Sequence, residues 1–195
     1  MGRTAGRSSE ETRRLVLETA ATAIRTHGVS VSLDEIARRA GVSKGGLIYH
    51  FPSKEALVSA LAHDMLDSFR VSVRAHLDPA DDGPGRLTRA FVHASLEPGI
   101  LESDAHERVA LMAQLNASAA AAGLAAADYQ RWERDLAADG LPPDVLAVVV
   151  AAADGVLASP LWGATLDRAR LDLLRASLLA MIDAAVPRPP AAPEA

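Results

Sequence analysis

Apolar residues recur along this 195-residue chain every three or four positions and almost never alternate, which is the period of helices rather than strands. Val16, Ala20, Ala23 and Ile24 mark the first stripe, on a helix from about Ser9 to His27 that stops at Gly28. Ser32-Leu33-Asp34-Glu35 reads as a capping box, in which the Ser32 hydroxyl takes the Glu35 amide and the Glu35 side chain reaches back. The short helix it opens, Leu33 to Ala40, puts Leu33, Ile36, Ala37 and Ala40 on one face and leaves Arg38 and Arg39 outside. Gly41 ends it, Val42 plugs the gap, Ser43 caps a second short helix from Lys44 to Phe51, and Pro52 terminates that one.

Longer segments follow. Ser53 caps a helix to about Leu77, and the stretch DPADDGPG breaks it. Pro84 suits the first position of the next helix, to about Leu96, before Glu97-Pro98-Gly99. Ser103 caps a helix from Asp104 to about Ala121, Gly123 marks a junction, and another helix to about Ala138 carries Tyr129 and Trp132. After the turn Gly140 to Pro143 come two last helices, about Pro143 to Ala158 and Leu166 to Val186. Residues 1–8 read as a disordered arm and 187–195, rich in Pro and Ala, as a disordered tail. The expected fold class is all-α, with about nine helices.

Composition narrows this little. Apolar residues are 49% and charged residues 23%, ordinary for a globular chain, and aromatics at 4% leave Ala, Val and Leu to fill the core. Without cysteine there are no disulfides and no thiolate metal sites. The longest apolar run, Val145 to Ala153, is about half of the roughly 20 residues that a membrane span needs. No membrane association and a cytoplasmic location are therefore expected. Charge changes the picture more. Residues 1–54 carry nine Lys and Arg against five acids, a surplus of +4, while the remainder carries 11 against 20, a deficit of -9. A basic head on an acidic body fits a head that meets a polyanion, and fits chance surface variation as well.

The two short helices with their glycine turn have the skeleton of a helix-turn-helix. Ala37 and Ala40 let the helices approach, Gly41 permits a left-handed turn, and Val42 seals the inner side. The second helix then projects Lys44, Gly45, Gly46, Tyr49 and His50 toward a major groove. A glycine pair costs roughly 1 kcal/mol per residue inside a helix, so packing alone would favour alanine there.

The segment LDEIARRAGVSKGGLIYHFPSKEAL strongly resembles the DNA-binding segment of the tetracycline-repressor-like (TetR/AcrR) family, over about residues 10–60. The resemblance implies a three-helix DNA-binding domain over residues 1–52 and a helical effector-binding and dimerisation domain over 53–186. It places Lys44, Gly45, Gly46 and Tyr49 in or beside the major groove. His50, Lys54 and the amide end of the fourth helix would hold phosphates. Ser32 would cap the second helix and touch the DNA backbone, and Arg3 and Arg7 would follow the minor groove. With the cap residue Ser43, the DNA-facing set is Ser32, Ser43, Lys44, Gly45, Gly46, Tyr49, His50 and Lys54. The chain departs from the family pattern at Gly46, often a hydroxyl residue, at Ile48, often aromatic and here read as core, and at Ile24, usually Phe.

A protein that reads two half-sites needs a partner subunit. Val145 to Ala153 is apolar all round, and Leu171, Leu174, Leu178 and Ile182 repeat at near-heptad spacing. Val145, Val149, Ala152, Leu171, Leu174, Leu178 and Ile182 are the dimer candidates; the alternative is that these residues complete the core of one subunit. The family also implies a small-molecule effector, mostly apolar. Candidates to line its pocket are Phe91, Met112, Leu115, Asn116, Tyr129, Trp132 and Trp162, each of which could equally be core or a loop anchor, Trp162 alternatively serving the dimer.

The expected partners are thus an operator duplex, a second copy and an unidentified effector, with no cofactor. His63 with Asp67 and Glu102 with His106 have helical spacing but no third ligand nearby, so no metal is expected. No nucleophile elbow, phosphate loop or dinucleotide fingerprint appears, which argues against an enzyme. The leading reading is a repressor released by ligand. An activator or effector-independent regulator, and more remotely a helical enzyme or scaffold, are the alternatives.

Overall fold

The computed structural model describes residues 7–97, 111–159 and 166–186. All regular structure there is helical, as the apolar spacing requires. Expectations for Arg3, for the Ser103 cap, for Glu102 and His106, and for Trp162 fall outside the described residues. Eight helices have both ends within them: α1 Ser9–His27, α2 Leu33–Ala40, α3 Lys44–His50, α4 Lys54–Ala75, α5 Arg86–Ser95, α6 Ala119–Ala137, α7 Pro143–Ala158 and α8 Arg168–Ala185. Residues 111–115 are helical as well. No helix among the described residues is long and apolar enough to cross a membrane.

The chain forms two compact units, and the division falls within α4 and within α6. The first comprises residues 1–68 and 107–128. Its core joins Val16, Ala20 and Ile24 of α1, Ile36 and Ala37 of α2, Leu47 of α3, and Leu57 and Leu61 of α4, all nearly or fully buried. Leu115 enters the same core from the later segment. Each buried Val, Leu or Ile among them stabilises the unit by about 1.5–3 kcal/mol through the apolar area it removes from water. The helix-turn-helix therefore has a broader base than the first 52 residues.

The second unit comprises residues 69–106 and 129–195. Val73, Phe91, Val92, Leu96, Leu136, Val149, Val156, Leu171, Leu178 and Ile182 form its core. Two expected boundaries shift. α5 begins at Arg86 rather than at Pro84, with Gly85 as a cap at φ 82° and no side-chain bond of its own. A Cβ at Gly85 would stand 2.7 Å from Ile182 Cγ2 and 3.0 Å from Leu141 Cδ2, so that turn needs both a left-handed backbone and the missing side chain. Gly123 is not a junction: α6 runs through it unbroken. The surrounding alanine run outweighs a single glycine, which costs about 1 kcal/mol.

Candidate nucleic-acid interface

α2 and α3 meet at Gly41, whose φ of 64° and ψ of 31° are the left-handed values that a side chain would resist. Its amide donates to Arg38 O, and the Val42 amide donates to Ala37 O at 3.0 Å, closing the C-terminal end of α2. Half-buried Val42 packs on the core beneath the turn. Leu47 is fully buried and anchors α3 from below. Two serines cap the helices. Ser32 Oγ accepts from the Glu35 amide at 3.2 Å, and Ser43 Oγ accepts from the Gly46 amide at 3.0 Å. Each cap is worth about 1 kcal/mol to a helix this short.

The reciprocal half of the expected capping box is absent at Ser32. Glu35 turns away to Arg38, which donates to it at 2.6 and 3.0 Å, and to Arg39 at 2.6 Å. The hydrogen bonds from these two guanidinium groups hold the Glu35 carboxyl down at about 2. Arg39 Nη2 also stands 2.7 Å from His27 Nε2, with the arginine as donor. Arg38 and Arg39 thus share one carboxylate, which offsets one of their two charges inside the head.

Lys44 opens α3 and reaches back across the turn to Asp34 Oδ2 at 2.9 Å. Gly45 follows it; a Cβ there would meet nothing within 4 Å, so no contact among the described residues requires glycine at that place. Gly46 differs, since a Cβ would come 3.2 Å from Ser43 Oγ and crowd the cap. Tyr49 is 80% exposed, its ring edge-on to His50 at 5.1 Å between centroids. Ile48, expected in the core, is 39% exposed instead. On α3, Leu47 takes the inward position, and the adjacent residue of a helix points some 100° away from it. Phe51 is buried, with the Arg13 guanidinium 5.4 Å from its ring centre. Half-buried Lys54 begins α4, where Ser53 Oγ accepts from the Ala56 amide at 3.1 Å. Lys44, Gly45, Ile48 and Tyr49 therefore form an exposed end of the head, with His50 and Lys54 half-buried nearby in sequence.

The pocket candidates are not brought to one place. Leu115 is buried in the core of the first unit, half-buried Met112 belongs to that unit too, and Asn116 is exposed. Tyr129 is 54% exposed. Phe91 and Trp132 do meet, with ring centroids 5.3 Å apart in the second unit, and Phe69 joins them at 5.5 and 5.7 Å. Phe69 was missed because only its place on α4, and nothing in its local pattern, brings it there. Arg70 covers the Trp132 ring at 4.2 Å and donates to Asp135 Oδ2 at 3.2 Å. Among the described residues, no group of three potential metal ligands occurs.

Four of the seven dimer candidates lie in the core of one subunit, the alternative left open for them. Val149, Leu171, Leu178 and Ile182 are between 0% and 4% exposed in the core of their own unit, and half-buried Val145, Ala152 and Leu174 pack against it. The first four have almost no surface left to offer a second subunit, whereas Val145, Ala152 and Leu174 keep some. The apolar residues that α7 and α8 leave outside are others: Val148 at 52%, Leu173 at 68% and Met181 at 38%.

Comparisons with known proteins agree with this architecture. Residues 16–61 match the family model described as bacterial regulatory proteins, tetR family, and residues 85–183 match the tetracyclin repressor-like C-terminal domain. The HTH-type transcriptional regulator RutR of Escherichia coli K12 is 38% identical over 65 residues, which are 33% of this chain and 30% of RutR. That relative is thus matched over under a third of its length. A Pseudomonas aeruginosa PAO1 protein described as a transcriptional regulator superposes over 93% of both chains with a TM-score of 0.74 at 21% identity. The ketosteroid transcriptional regulator KstR2 of Mycobacterium tuberculosis covers 96% of this chain and all of its own, with a TM-score of 0.58 at 22% identity. At those identities the likeness is one of fold. The two family models, meeting the helix-turn-helix and the helical body in turn, establish the assignment: the chain belongs to the TetR family of bacterial regulatory proteins.

Proposed function

We propose that the chain is a cytoplasmic repressor that grips an operator duplex as a homodimer and lets go when a small molecule occupies its helical body. The observation that carries this reading is Tyr49, an aromatic side chain left 80% exposed on α3 beside a glycine that no contact among the described residues requires. A flat, exposed aromatic ring beside a bare stretch of backbone suits a major groove. Lys44, Gly45, Gly46 and Tyr49 would enter the groove. His50 and Lys54 would take phosphates, and Ser32 and Ser43 would set the helix ends that approach the duplex.

For the second copy, the outward faces of α7 and α8 are the better surface. Val148, Ala151 and Gly155 share one exposed or part-exposed stripe on α7, and Leu173, Ala180 and Met181 do so on α8. A Cβ at Gly155 would meet nothing within 4 Å among the described residues, which leaves room for a second helix to come close. Paired across a two-fold axis, these helices would make a four-helix seam.

The effector is best sought at Phe69, Phe91 and Trp132, where three rings meet edge to face. A cluster of aromatic side chains with the Arg70 guanidinium over the Trp132 ring suits a mostly apolar ligand. Release then requires the ligand to favour a state in which the recognition helices no longer fit the operator. α4 carries Lys54 at one end and Phe69 near the other, so it is the element through which occupancy would reach the head. Selection from a randomised duplex pool tests the reading. It should enrich a two-fold-symmetric site whose half-sites lie about one helical turn, or a multiple, apart. A chain that enriches no sequence would overturn it.

A further inference from the structure

The lysine of the recognition helix is already in a pair. Lys44 Nζ stands 2.9 Å from Asp34 Oδ2, ten residues earlier on α2, with both side chains more than half exposed. An exposed pair of this kind adds little to stability. Its position is what matters, because Lys44 opens the helix proposed above to enter the major groove. Glu35, the next residue, engages Arg38 and Arg39 in the same way. Two acids in the first turn of α2 therefore hold three cations of the head.

A free lysine near a duplex is drawn to phosphates, which adds affinity without sequence information. A lysine held by a carboxylate behaves differently. The pair is neutral, so it gains little from counterion release. One of three ammonium donors is spent on Asp34, and the remaining two are fixed in direction. Acceptors on a base edge, such as the O6 and N7 of guanine, are the partners such a group fits.

We infer that Asp34 is a specificity-determining residue: it positions Lys44 at the start of α3 so that the ammonium reads a base edge instead of clamping a phosphate. This rests on the DNA-facing role proposed above for Lys44. With Asp34 neutralised, Lys44 is released to the backbone. Binding to any duplex tightens, and discrimination falls.

The test is a mutant cycle on the full chain, read by fluorescence anisotropy across a salt series. The probes are a mixed-sequence 30-base-pair duplex and the best duplex recovered from a randomised pool. Asp34→Asn should bind the mixed-sequence duplex about fivefold more tightly near 0.1 M salt, with a salt slope steeper by about one unit, one added phosphate contact. Its preference for the selected duplex should fall, and Asp34→Glu should restore it. In a Lys44→Gln background, Asp34→Asn should change neither slope nor preference. Thermal unfolding of each variant checks that the head stays folded.

Two results would overturn the inference. One is an unchanged slope in Asp34→Asn. The other is an equal gain in the Lys44→Gln background, which would mean simple repulsion between Asp34 and DNA. If the unmodified chain binds neither duplex at any salt, the DNA-facing role fails and the inference falls with it.

Discussion

Asp139 caps a helix that begins 53 residues before it, because its Oδ2 accepts from both the amide and the hydroxyl of Thr88, each at 2.7 Å. Oδ1 takes the Leu87 amide at 3.0 Å, and the Asp139 carbonyl takes the Gly85 amide at 2.7 Å. α5 has no cap in its own sequence, so the carboxylate supplies one, on the end where helix amides favour negative charge. Thr88 is fully buried and its hydroxyl depends on this partner. Asp139→Ala should therefore cost about 2–4 kcal/mol, several charge-assisted bonds with one buried hydroxyl orphaned. Guanidinium unfolding checks this; a loss under about 0.5 kcal/mol would contradict it.

Glu35 makes a pH prediction. Hydrogen bonds from Arg38 and Arg39 lower its carboxyl from 4.5 to about 2. A carboxyl depressed by folding stabilises the folded state above its unfolded value and loses that contribution as pH falls toward the folded one. The stability that the Glu35 network contributes should therefore be complete at pH 5 and be lost between about 4.5 and 2. A carboxyl-detected NMR titration should place the Glu35 midpoint near 2 and return it toward the ordinary range in a double Arg38→Ala, Arg39→Ala variant. A midpoint near 4.5 in the unmodified chain would remove the network as described.

The dimer face predicts a different pattern of mutations from the one the heptad spacing suggests. Leu173 is 68% exposed and lies on the proposed seam, so Leu173→Asp should leave the subunit folded and shift sedimentation toward monomer. Leu178 is 4% exposed in the unit's own core, so Leu178→Ala should cost about 2–5 kcal/mol of stability. Should Leu173→Asp sediment as the unmodified chain does, the seam lies elsewhere.

The helix-turn-helix was readable because each demand it makes is local. A left-handed turn needs Gly41, short helices need Ser32 and Ser43 as caps, and the apolar stripe shows which side faces in. Glu35 shows where such reading stops. The spacing Ser32-x-x-Glu35 is that of a capping box, yet arginines three and four residues on offer a charge-assisted bond that the cap amide cannot match. The same spacing at Ser8, expected at the end of a disordered arm, and Glu11 forms the full reciprocal box at 3.1 and 2.6 Å, while Arg14 turns to Glu18.

In the body, periodicity identified apolar faces but could not divide them between a subunit's interior and its partner. Leu178 and Leu173 are both leucines of α8, and only the neighbours that α5 and α7 supply separate them. Phe69 likewise joins Phe91 and Trp132 through packing between helices distant in sequence, which no local pattern reports.

The central claim is that α3 and the start of α4 hold DNA, and salt-dependent binding tests it most directly. The unmodified chain, titrated onto its selected duplex, should lose affinity steeply as salt rises, the signature of phosphate contacts. Lys54→Ala should lower the slope by about one unit, whereas Tyr49→Ala should weaken binding to the selected duplex with the slope nearly unchanged. Because Tyr49 is 80% exposed, its removal should leave thermal unfolding where it was. Binding that ignores both substitutions would contradict the account.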